Sequence, residues 1–381
     1  MTSIIPRNNY LDKDTMKILI LGAGMMGRAI GYDLSKYSKF EDITITDRDK
    51  KTIQSCEKFL INQDINFDIL DLEKTNDLKK QFQEHDVAIS AVPYKYNYTL
   101  AKIAVETKTH FLDLGGNNDI VDQERSLFKE AKKNGVTIIP DCGLAPGMTS
   151  VIVRDIVEEM NSIEYVKIRV GGLPINPKSP LNYQIVFSPN GLINEYVEDA
   201  VVLDHGKIIQ KKSMAEIETL NFPKPFGRME AFTTSGGCST LPYTYKDTIS
   251  YLDYKTVRYP GHCEKFKPLL KMESREKLID YLIKNLPSNE KDAVLLKVIS
   301  KGKKDDSGVE LEYNMIDYYD DKNNITSMMR TTAYPTSIIA QMIEQKIITE
   351  RGAFCSEEIV PCSPFFKELE KRNIKIQKEI K

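Results

Sequence analysis

The segment MKILILGAGMMG at 16–27 constrains the fold of this chain more than any other. A short apolar run stopped by glycine reads as a strand buried on both faces, and a helical pattern from Met25 to Lys36 follows at once. Gly22, Gly24 and Gly27 satisfy the G-x-G-x-x-G spacing at that junction. In such a turn the first glycine permits the tight bend, and the second lets backbone N–H groups approach a pyrophosphate. The third lets the helix pack on the strand. Asp47 closes a second apolar run, DITIT at 42–46, and lies 20 residues beyond Gly27. An acid there can accept hydrogen bonds from adenosine ribose hydroxyls and repels a 2′-phosphate. The expected cofactor is therefore NAD, with NADP second. Arg48, next in sequence, offers a charge that favours the phosphate or a plane that stacks on adenine.

The alternation of strand and helix continues downstream. Residues 87–91, 109–114 and 136–139 read as strands, with helical patterns at 75–84, 98–107 and 122–134. Strands spaced by helices of this length imply right-handed crossovers and a parallel sheet. The fold class expected is α/β, with a Rossmann dinucleotide-binding domain over 16–145 behind an N-terminal extension at 1–15. Beyond residue 160 the pattern changes. Ile163–Val170 reads as a strand, and GGLPINPKSPL after it is too rich in Gly and Pro to continue it. Ala293–Ile299, Val309–Tyr318 and Ile325–Arg330 read as an antiparallel meander with turns at KGKKDDSG and DDKNN. A second, α+β domain is expected over 146–330. Residues 331–381 form a helical C-terminal segment, free to return to the first domain through a helix at 334–346.

Composition narrows the function classes. At 381 residues the chain exceeds one typical core, and a net charge of −2 offers no global field for nucleic acid or an anionic membrane. No apolar run approaches the roughly 20 residues that span a bilayer, and the first residues lack a secretory signal. Six scattered cysteines without a CxxC pair suggest neither a disulfide framework nor a zinc site, so a reducing cytoplasm is expected.

Three segments fall beyond the carboxyl ends of predicted strands, where open parallel sheets bind ligands. They are AVPYKYN at 91–97, DLGGNN at 113–118 and DCGLAPGM at 141–148. Cofactor contacts are expected from Gly22, Gly24, Met25, Met26, Gly27, Asp47, Arg48, Asp71, Leu72, Ala91, Val92, Asp113 and Gly115. Asp71 and Leu72 follow the third predicted strand, where a plain surface loop is an equal reading. In the second domain EAFTTSGGCSTL at 230–241 offers hydroxyls and glycine N–H groups as a carboxylate cradle, with Thr234, Ser235 and Gly236 at its centre.

These stretches resemble the saccharopine dehydrogenase-like family, and within it the lysine 6-dehydrogenases. The resemblance runs from about Lys17 to about residue 365. It rests on GAGMMG, DLGG at 113–116, IIPDCGLAPGM at 138–148 and VGGLPINPKSPLNYQIVFSPNGLI at 170–193. EAFTTSGGCSTL, LDYKTVRYPGHCEK at 252–265 and TTAYPTSIIAQMI at 331–343 extend it. It implies a homodimer whose second domain holds substrate and subunit interface. It also implies NAD-dependent oxidation of the ε-carbon of lysine, with water converting the imine to 2-aminoadipate 6-semialdehyde and ammonia. The aldehyde then cyclises to a piperideine carboxylate. The wider family acts on secondary amines with NADPH, as in saccharopine reductases and carboxynorspermidine dehydrogenases. His262 favours the lysine branch and Cys142 the reductase branch. A dinucleotide-binding regulatory protein without catalysis is the alternative of another class.

RYPGHCEK at 258–265 places His262 beside Cys263. Sequence neighbours do not easily ligate one ion, and no other His or Cys has supporting spacing, so no metal is expected. Lysine must lose a proton from its ε-ammonium before hydride leaves the adjacent carbon, and a histidine near its ordinary pKa suits that step. His262 is the expected relay, a structural histidine the competing reading, and Asp141 the rival base. Arg258 or Arg228 can pair with a substrate carboxylate, and Tyr94 can line the same cleft.

Overall fold

The computed structural model describes residues 15–288, 290–305 and 307–381. The expected N-terminal extension lies outside these residues except for Thr15. The described residues form a seven-stranded and a nine-stranded sheet.

Strands β1 (Lys17–Leu21), β2 (Asp42–Asp47), β3 (Asn66–Ile69), β4 (Val87–Ser90), β5 (His110–Asp113) and β6 (Thr137–Ile139) are all parallel. Ile18 and Ile20 of β1 enter the main core, while Leu19 and Leu21 enter a second apolar cluster on the other face. A strand sandwiched in this way has no polar face, so its sequence is a continuous apolar run. The chain order β3-β2-β1-β4-β5-β6 reverses direction between β1 and β4, the crevice where dinucleotides settle in such sheets.

The second sheet begins with β7 (Ser162–Pro174), which lies parallel to β12 (Ile249–Arg258) and antiparallel to β13 (Asp292–Lys304). It is extended by the hairpins β8 (Ala200–Asp204) with β9 (Lys207–Lys211), and β10 (Glu218–Asn221) with β11 (Arg228–Thr233). β14 (Ser307–Tyr318) completes its other side. The expected end of β7 at Val170 is corrected, since the strand continues through Gly171 and Gly172. A Cβ on Gly171 would sit 2.2 Å from the Val257 carbonyl oxygen. These glycines admit close neighbours in the sheet rather than breaking it.

The third strand of the expected meander is also corrected. Ile325 makes one isolated bridge to Asp320, and a helix runs over Ser327–Glu344. Its start is fixed by chemistry that periodicity does not register. The Thr326 hydroxyl accepts the Met329 N–H at 3.1 Å, and the Asp292 carboxylate accepts the Ser327 and Met328 N–H groups at 2.7 and 2.9 Å. This helix packs on β13 and on the first helix, Met25–Tyr37. The chain then adds β15 (Gly352–Ala353) beside β6 in the first sheet, and β16 (Gln377–Ile380) beside β14 in the second. Arg372 clamps that return: its Nε donates to Asp33 on the first helix at 2.7 Å, and neither side chain is exposed to solvent.

Candidate active site

The glycine turn after β1 has the geometry of a pyrophosphate cradle. Gly22 holds φ at +104°, and a Cβ there would lie 2.8 Å from the Ala91 carbonyl oxygen. A Cβ on Gly27 would overlap the Gly22 carbonyl oxygen, whereas nothing lies within 4 Å of that position on Gly24. Gly24 is the N-cap of Met25–Tyr37 and supplies no side-chain acceptor, so the first helical N–H groups stay available for an anion. Met25 and Met26 stand half-buried on that first turn, and Ala91 and Val92 flank it after β4. These residues fit a dinucleotide.

The acid at the end of β2 is occupied otherwise than expected. Asp47 Oδ2 accepts the Ala23 N–H and Oδ1 the Asp49 N–H, each at 3.0 Å. Its carboxylate ties the glycine turn to the β2–helix turn. Arg48 beside it is exposed. Asp71 turns its carboxylate back onto the Glu73 N–H at 3.1 Å, and Leu72 packs at the edge of the second apolar cluster.

A group of buried carboxyls sits where β5 and β6 end. Asp113 closes β5, and its Oδ1 accepts N–H groups from Gly115 at 2.6 Å and from Asp141 at 3.3 Å. Burial pushes its pKa up to about 6 against hydrogen bonds from Glu124 and from those two N–H groups. Asp141 follows β6 in the left-handed region, at φ +59°, which an aspartate tolerates better than most residues. A Cβ on Gly115 would overlap Asp141 Oδ1, so glycine at 115 is what lets the two loops meet. Burial pushes the Asp141 carboxyl up to about 8, the Asp113 charge adds to that, and the Ser239 hydroxyl that donates to Oδ2 opposes it. Cys142, fully buried, directs its thiol to the Ile139 carbonyl at 3.1 Å, and burial raises its pKa well above the usual range. It is a packed thiol, not a nucleophile.

The second domain closes this corner from above. Tyr94 accepts from the Asn194 amide at 3.2 Å, and the Ser235 hydroxyl donates to the Asn194 carbonyl at 3.3 Å. Between the two domains Asn118 meets Thr234, Gly236, Cys238, Ser239 and Tyr254 at a tight seam with no room for a water molecule. The Thr234 hydroxyl is buried there with no hydrogen-bond partner. Arg258 lies beyond, 2% exposed, its guanidinium 4.7 Å from the Tyr183 ring centroid and 4.0 Å from the Glu195 carboxylate. Asp113, Gly115, Asp141, Tyr94, Thr234, Ser235 and Gly236 thus converge on one corner. Arg228 does not. It is exposed at the start of β11, and five residues of strand, roughly 17 Å, separate it from Thr233 at the other end.

His262, the expected relay, is 1% exposed. Its Nδ1 lies 3.0 Å from the Leu181 carbonyl, which makes that nitrogen the donor, so Nε2 accepts the Tyr196 hydroxyl at 3.0 Å. The Tyr196 oxygen in turn accepts from Arg258 Nε at 2.9 Å. The ring stacks between Phe232 and Phe266 at centroid distances of 6.2 and 5.6 Å. Burial pushes its pKa down to about 3, and the Arg258 charge pushes the same way. A buried histidine with both nitrogens engaged orders Tyr196 and Arg258. Sequence reading missed Glu124, Asn194, Ser239 and Glu357 at this corner. Ser239 lies inside the hydroxyl-rich stretch, whereas Glu124 lies in the helical pattern at 122–134, which gives no sign of its burial.

Among the described residues no cluster of three His, Cys, Asp or Glu side chains is placed to hold a metal ion, and no helix is long and apolar enough to cross a membrane.

Comparison with known proteins accords with this architecture. Residues 18–139 match the model of the saccharopine dehydrogenase NADP binding domain, and residues 143–374 match the saccharopine dehydrogenase C-terminal domain. The mitochondrial alpha-aminoadipic semialdehyde synthase of Rattus norvegicus is 24% identical over 285 residues, covering 70% of this chain and 29% of that protein. The NADP(+), L-glutamate-forming saccharopine dehydrogenase of Saccharomyces cerevisiae is 24% identical over 272 residues, 67% of this chain and 57% of the relative. The chain therefore spans between about a third and somewhat over half of these relatives. The apo structure of the L-Glu-forming saccharopine dehydrogenase from Saccharomyces cerevisiae superposes with a TM-score of 0.79 at 20% identity, over 96% of this chain and all of that one. The expectation of NAD before NADP is overturned here: the matching nucleotide-binding model is an NADP domain, and the yeast relative bears NADP(+) in its name. Asp47 spends one acceptor site of each oxygen on the loop, and Arg48 beside it is exposed. With its two matched regions spanning nearly the whole chain, the protein belongs to the saccharopine dehydrogenase family.

Proposed function

We propose that the protein is an NADP-dependent oxidoreductase of a secondary amine of the saccharopine type, cleaving the C–N bond oxidatively to release an amino acid and a semialdehyde. The observation that carries this reading is Asp141, a buried carboxyl whose pKa burial raises to about 8, set beside Asp113 at the ends of β6 and β5.

A secondary amine reaches neutral pH as an ammonium, and hydride cannot leave its α-carbon until the nitrogen has lost that proton. A carboxylate with a pKa near 8 is matched to accept it. Bound nicotinamide supplies the two-electron acceptor. Water adds to the resulting imine, and the protonated Asp141 is placed to return its proton as the C–N bond breaks, so that aldehyde and amine leave. Arg258, with one guanidinium edge facing Glu195 at 4.0 Å, is suited to a substrate carboxylate, and the Thr234 hydroxyl and the 236–238 N–H groups can hold a second. Gly22, Gly24 and the first turn of Met25–Tyr37 would hold the pyrophosphate, and Arg48 the 2′-phosphate.

The relatives and the NADP domain support this reading over the dehydrogenation of lysine with NAD. The test is reduced-nicotinamide formation by the purified protein with saccharopine or lysine, each with NADP or NAD. Saccharopine- and NADP-dependent absorbance with equimolar glutamate is the expected result. Turnover of lysine with NAD and release of ammonia would overturn it. Binding of NADPH with no turnover of any amine would return the non-catalytic reading.

A further inference from the structure

Glu124 is a buried acid for which the reaction has no direct use. It lies on the helix Asn118–Ser126, its side chain has no solvent exposure, and neither carboxyl oxygen meets an N–H or O–H donor. The same holds for Asp113 Oδ2. The two buried carboxyls act on each other's ionisation, and their unpartnered oxygens have no N–H or O–H donor to share. Two carboxylates cannot both stay charged in such a place, so one proton belongs to the pair.

Geometry also decides which partner carries it. Asp113 Oδ1 is already solvated by the Gly115 and Asp141 N–H groups, which stabilise charge on that carboxylate. Glu124 accepts no backbone hydrogen bond and is better buried neutral. Burial raises its pKa well above the ordinary value, and the charge of Asp113 raises it further.

We infer that Glu124 is a protonated positioning residue whose O–H donates to Asp113, keeps Asp113 ionised, and through that charge sets the proton affinity of Asp141. The Asp113 charge acts directly on Asp141, whose N–H it also holds. The other groups facing the trio are the Cys142 thiol, the Asn97 amide beside Asp113, and Glu357, whose carboxyl accepts from Thr240 and Thr244 at 2.7 and 2.9 Å. Arg125 beyond them is taken up by Glu358 at 3.7 Å. Glu124 thus turns a buried pair of acids into one charge and one donor, and that single charge adds to the burial that raises Asp141.

Asp141 as the base rests on the proposed function, but the proton arrangement does not, and a titration separates the two. The full chain, labelled with ¹³C at aspartate and glutamate carboxyls, is titrated by NMR between mildly acidic and alkaline pH, as wild type, Glu124→Gln and Glu124→Leu. In the wild type one glutamate carboxyl, absent from both variants, stays protonated through neutrality while the Asp141 resonance moves near pH 8. Glu124→Gln keeps a donor for Asp113, and the Asp141 midpoint stays in place. Glu124→Leu leaves Asp113 without its donor, so Asp113 takes up the proton and the Asp141 midpoint falls by about one pH unit. A Glu124 carboxyl that ionises in the normal range overturns the inference in the wild type alone, whatever the fate of the variants. An Asp141 midpoint unmoved in folded Glu124→Leu overturns it as well. The expected titration in a protein that fails to turn over saccharopine would sink the substrate and leave the inference standing.

Discussion

Ser239 donates its hydroxyl to Asp141 Oδ2, joining the end of β6 to a loop of the second domain across 98 positions of sequence. That contact holds the carboxyl of a left-handed residue at the interdomain seam. It also tempers a pKa that burial alone would drive higher.

The first prediction concerns the pH dependence of amine oxidation. Asp141 is protonated below about pH 8 and accepts protons only above it, so kcat/KM for the oxidative direction should rise with pH through that region. Asp141→Asn, whose amide tolerates the same backbone, should abolish the limb and slow turnover by about 100-fold or more. A pH profile unchanged in this variant would remove Asp141 from the chemistry.

Arg48 should carry the discrimination for the 2′-phosphate. Arg48→Glu places a negative charge where the proposed phosphate lies, and the dissociation constant for NADPH should increase about tenfold, equivalent to about 1.4 kcal/mol. That for NADH should hardly change. Quenching or transfer fluorescence of the bound reduced nucleotide reads both constants, and equal effects on the two would place the phosphate elsewhere.

His262 should matter to stability and not to the rate-limiting proton. Its pKa falls from 6.5 to about 3 on folding, so the unfolded chain binds the extra proton between those values, and stability is lost as pH drops below 6.5. His262→Gln should lower stability near neutrality by about 2 kcal/mol, through imperfect partners for Leu181 and Tyr196, and weaken the acid destabilisation. The limb near pH 8 should persist. Loss of that limb in folded His262→Gln would support a relay role.

The pair Asp33–Arg372 should behave as a buried bridge whose two halves need each other. Asp33→Ala takes from Arg372 the more deeply buried of its two carboxylate partners, leaving Glu368 alone, and should cost about 3 kcal/mol in urea unfolding. Arg372→Met in the same chain should recover part of that loss. Additive losses would mean that the bridge is not what docks the C-terminal segment on the first helix.

Local chemistry made the first half of the chain legible. MKILIL followed by GAGMMG specifies a doubly buried strand, a tight turn and an uncapped helix start, all within 12 residues, and the model places them there. DLGG marks a turn in the sequence, although what Gly115 admits, the Asp141 carboxylate, comes from another loop. What sequence alone left open depends on burial and on partners far along the chain. His262 is an ordinary histidine until Leu181, Tyr196 and two phenylalanines enclose it. Asp47 reads as a free ribose acceptor until the Ala23 and Asp49 N–H groups each bind one of its oxygens. The helix at Ser327 reads as a strand until Asp292 caps it, and Glu124 reads as a surface acid until the sheet brings Asp113 against it. Periodicity and turn residues are properties of a few neighbouring side chains. The charge state of a carboxyl and the freedom of a histidine are set by desolvation, which exists only once the tertiary structure has closed around them.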